Sequence, residues 1–232
     1  ETVANLQALE PTFVSVTYGA GGNTRENTVA ITQRIKHETG IEAMAHLTCV
    51  GHSQDELEEV LEKYENAGIE NIMALRGDPP RGDTTFVPHA YGFSHADQLI
   101  AFIQQRKQFC IGSAGYPEVH PEAPSPEEDL LNLKRKIDAG ADFVVTQLFF
   151  DERDYFDFVS RARAEHIDTP IIPGIMPVTN IAQIKRFTQM CGARIPKDLL
   201  ARLETAAGNT DEVVEVGIEH ATRQCRALLK EG

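Results

Sequence analysis

Six short runs that are apolar on nearly every position recur along the chain: FVSVTYG at 13–19, EAMAHLTC at 42–49, NIMALRG at 71–77, FCIGSAGYP at 109–117, FVVTQLFF at 143–150 and PIIPGIMP at 170–177. Runs of this length and pattern predict strands. Between them lie segments with helical periodicity, among them TVAITQRIKHETG, DELEEVLEKYENAG and DLLNLKRKIDAG. Each of these ends in a glycine, which takes the left-handed conformation at a helix C-terminus without steric cost.

The repeating unit is therefore β-α, and strands apolar on both faces predict a parallel sheet covered by helices on either side. A doubly wound sheet and a barrel both satisfy that pattern. Alternation places Phe13, Ser15 and Thr17 on one face, likewise Met44 with His46, Ile72 with Ala74, Arg76 and Asp78, and Val145 with Gln147 and Phe149. Polar side chains near the C-terminal ends of several strands are expected to converge, as they do at the catalytic face of a barrel. No G-x-G-x-x-G or G-x-x-x-x-G-K-[ST] occurs, and GAGG at 19–22 has the wrong spacing for a dinucleotide turn. The barrel is favoured: the expected fold is α/β with six strand-helix units visible, forming one domain over 1–232. Two irregular stretches, 77–93 and 116–129, follow strands and so belong to the functional side.

Composition narrows the chemistry. A chain of 232 residues, 41% hydrophobic, can bury one large core. Its formal charge of −13 repels a phosphate backbone, which argues against nucleic acid as a partner. Apolar stretches of about eight residues fall far short of the roughly 20 that span a bilayer, and the opening ETVANLQALEP has no signal-like basic and apolar regions. Cys49, Cys110, Cys191 and Cys225 are scattered, which fits a reducing cytoplasm. The histidines form neither H-E-x-x-H nor an i, i+4 pair, so no metal is expected.

Four strings change the picture: FVSVTYGAGG at 13–22, AHLTC at 45–49, ALRGDPP at 74–80, and AGYPEVHPEA followed by DLLNLKRKIDAGADFVVTQLFFD between 114 and 151. In their order and spacing, continued by PGIMPV at 173–178, they resemble the methylenetetrahydrofolate reductase family. The resemblance implies a flavin-dependent enzyme with a (β/α)8 TIM-type barrel, in which hydride passes from NADH or NADPH to FAD and then, in a ping-pong cycle, to 5,10-methylenetetrahydrofolate to give 5-methyltetrahydrofolate. It also implies a homo-oligomer. The family's opening strand F-E-F-F-P-P, whose glutamate is the general acid, and its closing strand F-H-F-Y-T-L-N do not occur here. The expectation is a barrel chain lacking its first and last strands and reducing little folate as it stands. The alternative is a non-catalytic flavin- or folate-binding remnant.

The resemblance assigns roles that the residues alone leave open. Asp78 would otherwise be a turn-forming aspartate; the family makes it the carboxylate near the flavin that serves both half-reactions. Gln147, otherwise a satisfied core amide, is implied to contact folate and nicotinamide in turn. Thr17, Tyr18, Ala20, His46, Arg76, Gly77, Tyr91, Gly92, Tyr116, His120 and Ala123 match positions lining the flavin, although His46, Tyr91 and Tyr116 individually read as packing. Gly92 stands where relatives can carry alanine, a change expected to matter little. Ser125, Pro126 and Glu128 form a capped helix start, with Leu130, Leu133 and Ile137 as the buried stripe. Asp129, Asn132, Arg135 and Lys136 on the other side read as a solvated face. The family implies instead that they hold the ribose, pyrophosphate and adenine end of FAD. Gln183 is implied to contact folate, and Phe187 to stack on a substrate ring, though core packing explains Phe187 equally well.

Overall fold

The computed structural model describes residues 2–18, 22–79 and 86–231. After α1 (Thr2–Gln7) come β1 (Val14–Val16), α2 (Gly22–Thr39), β2 (Ala43–Thr48), α3 (Gln54–Asn66), β3 (Asn71–Leu75), α4 (Ala96–Gln104), β4 (Cys110–Gly115) and α5 (Pro126–Asp138). They are followed by β5 (Phe143–Thr146), α6 (Glu152–Ala164), β6 (Ile171–Ile172), α7 (Ile181–Cys191), α8 (Lys197–Thr205) and α9 (Thr210–Glu231). Each apolar run contains a strand, and each periodic segment lies in a helix closed by its glycine at positive φ: Gly40 at 71°, Gly68 at 68° and Gly140 at 113°. Strand order in the sheet is chain order, and β1-β2, β2-β3, β3-β4 and β5-β6 pair in parallel. Parallel neighbours need a crossover, and a helix supplies it in every unit. The fold class is that of the (β/α)8 barrel, represented by six strand-helix units. No helix among the described residues is long and apolar enough to cross a membrane.

The chain divides into two compact units, one of Glu1–Ala114 with Arg135–Phe143, the other of Gly115–Lys134 with Val144–Gly232. In the first, Ala45 and Leu47 of β2 and Ile72 and Ala74 of β3 are wholly buried against Leu57 and Leu61 of α3 and Leu99 of α4. Burying each leucine contributes about 1.5–3 kcal/mol. Ser53 and Glu56 start α3 with a reciprocal capping box: Glu56 N–H donates to Ser53 Oγ (3.1 Å) and Ser53 N–H to Glu56 Oε2 (2.8 Å).

The register corrects one reading of the alternation. Ser15 lies opposite Met44, His46 opposite Met73, and Met73 opposite Gly112. These residues share the face turned away from the helices, as expected for β1 and β2. In β3 the phase is one residue out: Ile72 and Ala74 lie with Ala45 and Leu47 on the helix-covered side, leaving Asn71, Met73 and Leu75 on the other. A strand apolar on both faces carries no phase information, which is why alternation failed there. β3 ends at Leu75 and Gly77 takes a φ of 87°, so alternation does not govern Arg76 or Asp78.

In the second unit, Val144 packs toward Phe158 of α6 at Gly115, which leaves Val145 on the opposite face, as expected. But β5 ends at Thr146 and Phe149 does not follow the alternation: its ring stacks on Tyr155 of α6 with centroids 5.5 Å apart. The core joins Phe150, Val178 and Ile184 to Leu199, Leu203 and Val213. The buried segment after β5 has its carbonyls answered by α9: His220 Nε2 donates to Phe150 O (2.8 Å), and Gln224 Nε2, one turn on, to Phe149 O (2.9 Å). A carbonyl only accepts, so Nε2 carries the proton. In the neutral ring Nδ1 then accepts from Arg223 (3.0 Å).

Burial is the main cause that holds the His220 imidazole below its ordinary pKa. The unfolded chain therefore takes up this proton first as pH falls. The stabilisation is complete above the ordinary value and is lost as pH drops through it toward the folded one. Thermal melts between about pH 7.5 and about pH 5.5 are expected to show a steeper fall in Tm for the wild type than for His220→Gln, which keeps a donor for Phe150 O. Equal slopes would contradict this account.

Candidate active site

In the first unit the C-terminal ends of β1, β2 and β3 lie side by side. Backbone hydrogen bonds join the two segments past the strand ends, with Cys49 N–H donating to Leu75 O (3.2 Å) and Val50 N–H to Arg76 O (2.9 Å). This holds the Arg76–Gly77 turn against residues 49–50. Gly77 is required there twice over: its φ is 87°, and a Cβ would lie 2.5 Å from Val50 Cγ1. Arg76 is half-buried, its guanidinium 4.7 Å from the centre of the Phe86 ring and its Nε donating to Gly77 O (3.3 Å). Asp78, two residues on, is exposed.

His46 is half-buried on the face away from the helices. Its carbonyl accepts from Tyr64 Oη (2.9 Å), while its ring has no hydrogen-bond partner among the described residues. Burial lowers its pKa, so at neutral pH it offers one donor and one acceptor without charge. Thr17 is exposed, and its carbonyl accepts from Thr28 Oγ1 (3.1 Å). Tyr18 is half-buried and meets His52, with Oη and Nε2 3.1 Å apart. The 78% exposed ring of Tyr91 stands above a backbone tied down by Gln54 N–H to Tyr91 O (2.9 Å). Ala20 lies outside the described residues.

Gly92 requires a correction. A Cβ at this position would lie 2.0 Å from His52 O. Alanine is therefore not a small change here, because the 89–92 turn approaches the loop after β2 backbone to backbone.

In the second unit the segment after β4 is held from several sides. Tyr116 and His120 meet edge to face at 4.6 Å. His120 Nδ1 accepts Glu122 N–H (3.0 Å), which places the neutral ring's proton on Nε2. The Asp129 carboxylate accepts His120 N–H (3.1 Å), and Ala123 N–H donates to His120 O (2.9 Å). The nearly buried Glu118 carboxylate accepts Arg194 N–H (3.0 Å) and Nε (2.6 Å), and Arg194 reaches Asp154 (2.9 Å). Gln147 continues the strand pairing by donating N–H to Gly115 O (2.8 Å). Its Oε1 accepts Leu148 N–H (2.9 Å), and the amide nitrogen is the group with which it can donate. Gln147 borders a small cleft with Tyr116, Glu118 and Leu148.

The remaining expected residues are more dispersed in role. Ser125 Oγ accepts Glu128 N–H (3.2 Å) at the start of α5, whose Leu130 and Leu133 are buried and Ile137 partly so, as the pattern predicted. Asn132 is half-buried and Arg135 exposed, while Lys136 Nζ donates to Ala114 O. Gln183 is exposed, its N–H capped by Asn180 Oδ1 (2.8 Å). Phe187 packs on the second unit's core. Sequence reasoning missed His52, Glu118 and Arg194, because each acts through a partner remote in the chain that no local pattern reveals. Among the described residues no cluster of three or more His, Cys, Asp or Glu could hold a metal ion.

Comparison with known proteins places this geometry. The family described as methylenetetrahydrofolate reductase matches residues 1–232. The chain is 42% identical over 231 residues to the 5,10-methylenetetrahydrofolate reductases of Salmonella typhimurium and Escherichia coli, covering 100% of itself and 76% of each. It is 39% identical over 243 residues to methylenetetrahydrofolate reductase (NADH) 1 of Arabidopsis thaliana, covering 41% of that protein. An uncharacterized protein from Clostridium thermocellum, solved with two copies of 5-methyl-5,6,7,8-tetrahydrofolic acid, superposes with a TM-score of 0.58 at 14% identity, over 98% of this chain and 87% of its own. At that identity the likeness speaks for the fold alone.

Gly92→Ala is expected to destabilise the protein by about 1–3 kcal/mol, the cost of forcing a methyl group into a packed contact. Urea unfolding measures it, and a loss below about 0.5 kcal/mol would show that the two loops separate freely. Gly77→Ala is expected to cost at least as much, since strained φ and overlap add.

Proposed function

Because the chain belongs to the methylenetetrahydrofolate reductase family, we propose that it is an FAD enzyme that reduces 5,10-methylenetetrahydrofolate to 5-methyltetrahydrofolate with NADH or NADPH. The family match over the whole chain is the observation that carries the reading: it makes the chain a methylenetetrahydrofolate reductase, and the flavin and the nicotinamide donor are the further part of the proposal. In this reading the two compact units are parts of one barrel domain. The donor set suits a flavin dinucleotide. Hydroxyls, a neutral imidazole, a guanidinium and backbone turns stand at the ends of β1 to β3, and an aromatic–histidine pair and an amide stand in the second unit.

When bound, FAD supplies a two-electron carrier that takes hydride from the nicotinamide and gives it to the folate. Thr17, Tyr18, Ala20, His46, Arg76, Gly77, Tyr91 and Gly92 line one part of it in this reading, and Tyr116, His120 and Ala123 another. Asp129, Asn132, Arg135 and Lys136 hold its nucleotide end. Asp129 does so through the backbone it fixes at His120. Asp78 brings a carboxylate just past Gly77, where in this reading it stabilises a cationic form of the folate and opposes further negative charge nearby. Gln147 offers its amide nitrogen to folate and nicotinamide in turn, so one must leave before the other enters, a ping-pong order. Gln183 and Phe187 complete the folate contacts.

The test is spectroscopic. The purified protein is expected to be yellow, or to become so with added FAD, and to bleach with anaerobic NADH or NADPH. In Asp78→Asn, reoxidation of the reduced flavin by methylenetetrahydrofolate is expected to slow by about 10- to 100-fold while reduction by the nicotinamide changes by less than about threefold. A protein colourless even with excess FAD would overturn the flavin reading. Reoxidation by the folate at the wild-type rate would overturn the role of Asp78.

A further inference from the structure

We propose that His52 is a positioning residue that fixes the proton and the direction of the Tyr18 hydroxyl, so that Tyr18 meets its ligand as a hydrogen-bond acceptor. The inference rests on the reading above that Tyr18 lines the flavin. It starts from a buried ring: His52 is 1% exposed, at the end of the loop after β2. Its Nδ1 lies 3.0 Å from Val50 O and its Nε2 3.1 Å from Tyr18 Oη. A carbonyl can only accept, so Nδ1 carries a proton. In the neutral ring Nε2 is then a lone pair, and the Tyr18 hydroxyl must donate to it. With that proton committed, any further hydrogen bond the hydroxyl makes is one it accepts.

The ring is held by more than its hydrogen bonds. Tyr18 and His52 pack with centroids 5.7 Å apart and planes at 45°. The His52 carbonyl lies so close to Gly92 that no side chain fits between them. Tyr18 itself packs on the first unit's core. Two expected flavin-lining residues, Tyr18 and Gly92, thus meet at His52, which has no assigned role of its own. A hydroxyl oriented in advance loses less freedom when its ligand arrives, and the benefit appears as affinity.

Conservative substitutions separate positioning from packing. His52→Asn keeps a donor near Val50 O but is too short to reach Tyr18, whereas His52→Gln keeps an acceptor within reach of the hydroxyl. FAD affinity is read by quenching of flavin fluorescence on titration into apoprotein, and folding by the thermal midpoint. Tyr18→Phe and His52→Asn are each expected to weaken FAD binding roughly three- to tenfold, the worth of one hydrogen bond. The double variant should lose no more than the larger single loss, and His52→Gln should stay within about twofold of wild type. Additive losses, or a folded His52→Asn with unchanged affinity beside a weakened Tyr18→Phe, would overturn the inference and leave the flavin reading intact. Unchanged affinity in Tyr18→Phe would remove Tyr18 from the flavin and the inference with it. A wild type that binds no FAD would instead remove the proposed function.

Discussion

Parallel pairing is the constraint from which the rest follows. A strand that must run alongside its predecessor in the same direction has to be returned by a crossover, and here a helix makes every return. Covering the sheet in this way makes the strands apolar on the helix side, and it also aligns their C-terminal ends within each unit. Side chains and turns at those ends then become neighbours although far apart in sequence. Tyr18, His52 and Gly92 meet in the first unit on this account, and Tyr116, His120 and Gln147 are drawn into one region of the second.

Much of this was legible in the chain because it depends on local rules. The strand runs, the three glycine-closed helices and the Ser125 start of α5 are set by propensity, positive φ and hydrogen-bonding groups within a few residues of each other. The phase of β3 was not legible. Asn71, Met73 and Leu75 are no less consistent with one face than Ile72 and Ala74 are with the other, and only the pairing of His46 with Met73 decides between them. Nor could the sequence show what Gly92 excludes, since the obstructing atom is the carbonyl of His52, forty residues earlier. The resemblance placed glycine and alanine as equivalents there. The backbone approach in this chain removes that equivalence.

The second unit shows how a loop of polar residues becomes a scaffold. Glu118 would be costly to bury alone, but its carboxylate accepts the Arg194 backbone and side chain together, and Arg194 is held in turn by Asp154. Asp129 accepts a backbone N–H at His120 rather than standing free on a solvated face. Such contacts bring no chemistry of their own. They fix where Tyr116 and His120 point, and a binding group is only as precise as the backbone beneath it.

Histidine separates scaffold from site most clearly. Of the eight histidines, four are not exposed: His46, His52, His120 and His220. In three of them a backbone group of fixed polarity dictates the tautomer: Val50 O takes the Nδ1 proton of His52, Glu122 N–H occupies the Nδ1 lone pair of His120, and Phe150 O takes the Nε2 proton of His220. Each of these rings has committed at least one nitrogen to the protein, which suits it to orient something else. His46 differs. Its ring nitrogens meet no hydrogen-bonding group among the described residues, and it sits half-buried on the face that the helices leave open, with burial keeping it neutral. A neutral ring with that burial can offer a ligand one donor and one acceptor, which is the part the proposed flavin site gives it.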